Sequence, residues 1–135
     1  MGYTGGDIKS IAYNHPTLGS GTLFPKSGED GTLDQGGFTS ADDAAGITGA
    51  GQMIDIITAK RGSLEILCAW DMTDKQELNT VNDMAADPVM ADWTISTLSG
   101  AVFGGKGKPV GDVQGSIGTA TFALKLAFEG KVKTL

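Results

Sequence analysis

The sequence predicts an α+β fold, mainly an antiparallel β-sandwich or rolled sheet, with one short flanking α-helix and a long hairpin. Two patterns support this fold class. Residues 119–128 alternate between apolar and polar side chains over ten residues, which is typical of a half-buried antiparallel strand. Residues 73–86 carry the one stretch with helical spacing, and no strand–helix–strand repeat indicates a parallel sheet.

Composition predicts one domain over residues 1–135, because 40% hydrophobic residues in a chain of this length can form a core. No apolar run approaches membrane-spanning length and no signal-peptide pattern opens the chain, so we expect cytoplasmic synthesis and no membrane anchoring. The net charge of −6 argues against direct binding of nucleic acid. With one cysteine, one histidine and no paired carboxylates or triad, we expect no enzyme, no metal and no cofactor.

Residues 7–13 predict a short first strand. Residues 14–50 form a Gly/Ser/Asp-rich arm or long loop, in which apolar residues appear singly. A structureless loop of this length is uncommon in a compact domain, so the segment either contains short strands or becomes ordered against another subunit. Residues 29–37 contain scattered carboxylates that do not match the calcium-loop pattern.

Residues 52–70 have the strongest strand signal and are interrupted at 60–62, "KRG". A three-residue turn that ends in a left-handed glycine predicts a hairpin in which 56 faces 66 and 54 faces 68. One face of this hairpin is then apolar and belongs to the core, with Cys68 as a packing residue. The predicted core of this region is Ile54, Ile56, Leu64, Ile66 and Trp70. The opposite face holds Asp55, Ile57, Glu65 and Leu67.

Residues 73–86 predict the helix, with Thr73 and Gln76 as a capping box at its start. Leu78, Val81 and Ala85 fall on one stripe, and Asp87-Pro88 ends the helix. The stripe is short, so we expect the helix to cover a sheet.

Residues 90–98 predict a strand with Trp93 and Ile95 on one side, and residues 119–128 add Phe122, Leu124 and Leu126 to the predicted core. Between these strands lies "GAVFGGKG" at 100–107, which has most of the G-x-x-x-x-G-K phosphate-loop pattern. The next residue is neither Ser nor Thr, and Lys108-Pro109 opposes an immediate helix. We therefore predict a flexible loop between two strands, with Lys106 and Lys108 in solvent.

The order of these elements is similar to that of the tail tube proteins of tailed bacteriophages and the related tube proteins of type VI secretion. The resemblance covers residues 50–135 and rests on the hairpin "GQMIDIITAKRGSLEIL", the helix "TDKQELNTVNDM", "WTISTLSG", the glycine-lysine segment and the last amphipathic strand. It implies a β-sandwich that forms hexameric rings. The rings stack into the inner tube of a phage tail, through which DNA passes without sequence-specific binding. Partners would be further copies of the chain, sheath, tail terminator and baseplate proteins, and the location would be the virion.

In such a ring, the hairpin face that holds Asp55, Ile57, Glu65 and Leu67 is the candidate lumen or inter-subunit surface. We expect Asp55 and Glu65 either to line the DNA path or to pair with Lys or Arg across a subunit contact. Two other interpretations stay open. The chain could be another tail or injection-machine component, such as a terminator or fibre adaptor. It could also be a small β-barrel ligand-binding module with Trp70 or Trp93 in its pocket.

Overall fold

A computed structural model describes residues 2–28, 31–40, 46–54, 56–111 and 113–135. The chain has one helix in these ranges, α1 (Glu77–Ala86). The strands of the first half are β1 (Ile8–His15), β2 (Gly19–Leu23), β3 (Thr32–Asp34), β4 (Gly37–Ser40), β5 (Gly46–Ile47), β6 (Met53–Ile54), β7 (Ile57–Lys60) and β8 (Ser63–Ala69). Those of the second half are β9 (Ala91–Thr97), β10 (Val102–Pro109), β11 (Gly115–Ser116), β12 (Thr121–Phe128) and β13 (Lys133–Thr134).

The main sheet is antiparallel and has the order β2-β1-β9-β10-β12-β8-β3, with β11 beside β12 and β13 beside β10. Its two ends meet, because the chain that follows β2 pairs with the last residues of β8. The amide of Ala69 donates to the carbonyl of Phe24 at 2.7 Å, and the amide of Lys26 donates to the carbonyl of Leu67 at 2.9 Å. The sheet therefore rolls into a barrel, and the predicted sheet-dominated α+β class is confirmed.

The core fills the inside of this rolled sheet. Trp93 is the largest fully buried side chain among the described residues, and its indole Nε1–H donates to the carbonyl of Gly107 at 3.0 Å. The predicted core residues Leu64, Ile66, Phe122, Leu124 and Leu126 are buried, and Trp70 is half-buried against the core. The recurrence of apolar residues at every second position of β8 and β12 buries these side chains, since every second side chain of a strand points to the same face.

The predicted core positions Ile54 and Ile56 are wrong: they are 44% and 42% exposed. The predicted hairpin across residues 60–62 is also wrong, and strand pairing explains both errors. β7 pairs with β4, whereas β8 pairs with β12 over seven positions and with β3 on its other edge. Both edges of β8 are thus occupied by distant strands, whose pairing buries a full apolar face that the local hairpin could not enclose.

The glycine-lysine segment is also different from the prediction. Most of it forms β10, a strand between β9 and β12, instead of a flexible loop. A Cβ atom at Gly107 would lie 2.1 Å from the carbonyl oxygen of Ala127, so glycine permits the close approach of β12. Lys106 is exposed as expected, but Lys108 is half-buried and donates from Nζ to the carbonyl of Asp87 at 2.8 Å. An extended strand cannot form a phosphate-binding loop.

The helix begins four residues later than predicted, and the expected capping box is absent. The carboxylate of Asp71 accepts hydrogen bonds from the amides of Thr73 and Asp74, which folds this segment into a separate turn. Gln76 then adopts a left-handed conformation before Glu77, with no side-chain cap. The helix ends at Ala86 as predicted. In the described part of the chain, no helix is long and apolar enough to cross a membrane.

The segment 14–50 contains short strands, which was one of the two alternatives that the sequence left open. β2 and β3 lie within it and belong to the rolled sheet, whereas β4 and β5 leave the sheet. The first strand is β1, two residues longer at its end than predicted.

Candidate functional site: an apolar arm on a closed barrel

The lone histidine and lone cysteine have structural environments. His15 is buried, its Nδ1 accepts from the amides of Thr17 and Leu18, and its Nε2 lies 3.1 Å from the carbonyl of Val89. Cys68 is fully buried, and burial, followed by the nearby charge of Glu77, raises its pKa to about 12. A thiol with this pKa stays protonated and unreactive at neutral pH. Among the residues described, no group of three or more His, Cys, Asp or Glu side chains could hold a metal ion.

The feature that stands apart from the barrel is a two-stranded projection, which we call the arm (described residues 37–40, 46–54 and 56–60). β4 pairs with β7 near the barrel, and β5 pairs with β6 farther along. Every described residue of these paired strands except Gly37 is exposed. In the described ranges no third strand pairs with either edge of the arm. The arm therefore presents both its faces and its backbone edges to solvent.

The register of β4 and β7 gives the arm two different faces. Phe38 is opposite Ala59 and Ser40 is opposite Ile57, so these four side chains share one face. Thr39 is opposite Thr58, and these hydroxyls lie on the other face together with the side chain of Lys60. Phe38 is 77% exposed and Ile57 is 64% exposed. One face of the arm is thus apolar and uncovered, and the other is polar.

The outer part of the arm is also apolar and ends in an ordered turn. Ile47 is opposite Met53, and both side chains are largely exposed. The turn is closed by the amide of Thr48, which donates to the carbonyl of Gln52 at 2.7 Å, and by the amide of Gly51, which donates to the carbonyl of Thr48 at 2.9 Å. The hydroxyl of Thr48 also accepts from the amide of Gln52. Apolar exposure therefore continues along the arm to a structured tip.

The arm is held firmly where it leaves the barrel. Gly36 has φ of +71°, and a Cβ atom there would lie 2.4 Å from the amide nitrogen of Gly62, so the two chain segments cross in contact. Gly62 donates its amide to the carbonyl of Gly130 and accepts from the amide of Phe128. An ion pair between Lys60 and Asp34 lies beside this crossing. The Lys60 ammonium and the amide of Gly36 hold the pKa of Asp34 below its usual value.

Two cavities flank the turn at Gly130, next to the base of the arm. One, of about 630 Å³, lies between Phe38, Ala59 and Lys131. The other, of about 530 Å³, has Trp93, Phe128 and Lys133 in its wall. Both are open depressions whose rims carry lysine side chains.

The candidate lumen residues do not lie together. Asp55 falls outside the described residues, and Ile57 belongs to the apolar face of the arm. Glu65 and Leu67 lie on β8, on the outer face of the barrel. Glu65 pairs there with Lys125 of the neighbouring strand, with 3.3 Å between Oε1 and Nζ. The expected shared face depended on the local hairpin and is therefore wrong for the three members that the structure describes.

Sequence reasoning missed Phe38, Ile47 and Met53 as surface residues of interest. The available signal was weak, because Phe38 and Ile47 occur singly in a segment rich in Gly, Ser and Asp. Only the pairing of β4 with β7 turns these scattered residues into one side of a ribbon.

A comparison with known protein families and with curated proteins gives no match.

Proposed function

We propose that this chain is a structural subunit that self-assembles through its arm into stacked rings, as the inner tube of a phage tail. The observation that carries the proposal is the uncovered apolar face of the arm, with Phe38 and Ile57 on a two-stranded ribbon. The part of the resemblance to tail tube proteins that rests on α1, β9 and β12 supports the same function, whereas the part that rests on the hairpin does not.

An uncovered two-stranded ribbon of this kind is expected to be unfavourable in a monomer. An isolated two-stranded hairpin is at best marginally stable in water, and the strands here gain little burial within their own chain. Exposed strand edges are also templates for pairing with another chain. A second copy that covers the apolar face adds the missing burial, and one that extends the ribbon pairs an exposed edge. If the arm of one copy binds a different surface of the next copy, the contact is head-to-tail, and such contacts generate rings or filaments.

The charge of the chain fits a conduit for DNA. A wall of subunits that each carry −6 repels phosphate, so DNA can slide through without being retained. Glu65 and Lys125 form a nearly neutral pair, so a negative lining would have to come from other carboxylates. In this function the partners are further copies, with sheath, terminator and baseplate proteins at the surfaces and ends of the tube, and the location is the virion.

A ligand-binding barrel is the second candidate. It is favoured by the cavity of about 530 Å³ beside Trp93 and Phe128. Against it, the Trp93 ring is buried and its indole N–H is already bonded to the carbonyl of Gly107, so it offers a ligand neither a face nor a donor. Another tail component would share the arm and the barrel but would not form long tubes.

Substitutions on the two faces of the arm test the proposal. Phe38→Ser with Ile57→Ser removes the apolar face, whereas Thr39→Ser with Thr58→Ser alters the polar face at the next positions along the same strands. Size-exclusion chromatography with light scattering should show large assemblies for the wild type and the threonine control. The Phe38/Ile57 variant should elute as a folded monomer. Assembly of that variant at the wild-type concentration would contradict the proposal.

A further inference from the structure

The two depressions beside the turn at Gly130 form one continuous region, which we call the basic surface. They share Glu129, Gly130 and Lys131 in their walls. Half of the ten cations of the chain stand in these walls: Lys60, Arg61, Lys106, Lys131 and Lys133. The described walls hold two carboxylates, so the net charge of the basic surface is +3. The rest of the chain keeps five cations and fourteen carboxylates, which is a net charge of −9.

Most cations of the basic surface have no carboxylate partner within the chain. Lys60 is paired with Asp34, but none of the other four forms an ion pair with a described carboxylate. All four are exposed. Cations that stand together without counter-charges repel one another, so an acidic partner that docks on them adds attraction and lowers this repulsion.

The composition of the basic surface suits an acidic protein better than a nucleic acid. Asp92 and Glu129 lie among its cations and would repel the phosphates of a nucleic-acid strand laid along it. Its wall also includes Phe38 and Ala59, which belong to the apolar face of the arm. Apolar area next to interspersed charges is typical of contacts between proteins.

A second copy of this chain offers a complementary surface in residues 71–87, which we call the acidic segment. This segment carries five carboxylates and one cation, and its Asp74 and Asp83 are exposed. Met72, which is 41% exposed, adds an apolar side chain to it. β8 separates the start of the segment from Gly62, and its six residue steps span about 20 Å. This exceeds the screening length of about 10 Å in 0.1 M salt, so Asp74 does little to neutralise the basic surface of its own chain.

We propose that the basic surface of one copy docks on the acidic segment of a second copy. This inference rests on the proposed self-assembly and names the two surfaces that meet in it. Because the surfaces differ, the contact is head-to-tail, and each copy can use both at once. Phe38 lies in the wall of the basic surface, so the docked copy also covers part of the apolar face of the arm.

An exchange of charges between two variants tests this pairing. One variant carries Lys131→Glu with Lys133→Glu, and the other carries Asp74→Lys with Asp83→Lys. In sedimentation velocity over a range of concentrations, each folded variant alone should associate at least about tenfold more weakly than the wild type. An equimolar mixture should recover association, because each reversed surface then meets its complement on the other variant.

The matched control is Lys9→Glu with Lys26→Glu, which makes the same change in net charge at exposed positions outside both depressions. This control should associate like the wild type. If both charge variants associate as the wild type does, or if the mixture is no stronger than its components, the proposed pairing is wrong while assembly through the arm stands. If instead the Phe38→Ser, Ile57→Ser variant still associates, the proposed function fails, and the charge exchange decides the pairing separately.

Two other outcomes would also overturn the proposed pairing. A wild-type protein that stays monomeric at every concentration has no second copy on its basic surface, which contradicts the proposed function as well. A labelled DNA duplex that binds the wild type, but not the Lys131/Lys133 variant, would assign the basic surface to DNA if association of that variant is unchanged.

Discussion

Truncation of Phe122 to alanine is the most direct perturbation of the barrel core. Phe122 is almost fully buried on β12, with Cys68 of β8 opposite it on one side and Gly115 of β11 on the other. Strands on both sides fix the backbone, so the surrounding structure can collapse only slightly into the space that the ring leaves. We therefore expect the full loss that is usual for such a change, about 3–5 kcal/mol in the free energy of unfolding.

Urea denaturation followed by the fluorescence of Trp70 and the buried Trp93 measures this loss, at a protein concentration below that of assembly. With a denaturant slope of about 2 kcal/mol/M, the midpoint should fall by roughly 2 M. Ile57→Ala in the exposed arm is the matched control and should change stability by less than about 0.5 kcal/mol. A loss below about 1 kcal/mol for Phe122→Ala would refute the reasoning, because the ring would then not be packed inside a closed barrel.

Three further predictions concern the strands around this core. Gly107→Ala places a Cβ 2.1 Å from the carbonyl oxygen of Ala127, so thermal melting should show a loss of about 1–3 kcal/mol or more, whereas Gly118→Ala, which has open space, should melt like the wild type. Burial raises the pKa of the Cys68 thiol from 9.0 to about 12, so its contribution to stability is complete below pH 9 and is lost as the pH rises toward 12. Cys68→Ala should therefore flatten this part of a curve of unfolding free energy against pH. An unchanged slope would contradict the burial of the Cys68 thiol. Lys106→Ala, at an exposed strand position, should leave the melting temperature unchanged, and calorimetric titration should show no ATP binding by the wild type; ATP binding that the variant abolishes would contradict the strand assignment.

The sequence predicts well those parts of the fold that local alternation determines. Apolar residues recur at every second position of β8 and β12, and the buried positions Leu64, Ile66, Phe122 and Leu124 follow from this spacing. The existence of the single described helix and its end at Ala86 were likewise readable from spacing and from Asp87-Pro88. Its start was not, because the carboxylate and the carbonyl of Asp71 accept from the amides of Thr73 and Gln76, which a capping box would have used.

Pairing between distant strands was not predictable from local pattern. The alternation of 52–60 fits a hairpin with β8 as well as it fits a separate ribbon, and only the competition of β12 and β3 for the edges of β8 decides between them. The high glycine content of residues 100–107 likewise led to the prediction of a loop where most of the segment belongs to strand β10. A glycine-rich stretch indicates a loop unless a neighbouring strand needs the space of the missing side chain, as β12 does at Gly107. The arm was missed because local pattern does not reveal which strands pair, and its apolar face exists only once β4 and β7 are paired.

The central claim is that the uncovered arm makes this chain a subunit of a tube. Negative-stain electron microscopy of the purified wild-type protein tests it most directly. We predict hollow tubes in side view and rings with sixfold symmetry in end view. A uniform field of separate particles of the size of one 13.8 kDa chain, at concentrations where the protein is folded, would contradict the account.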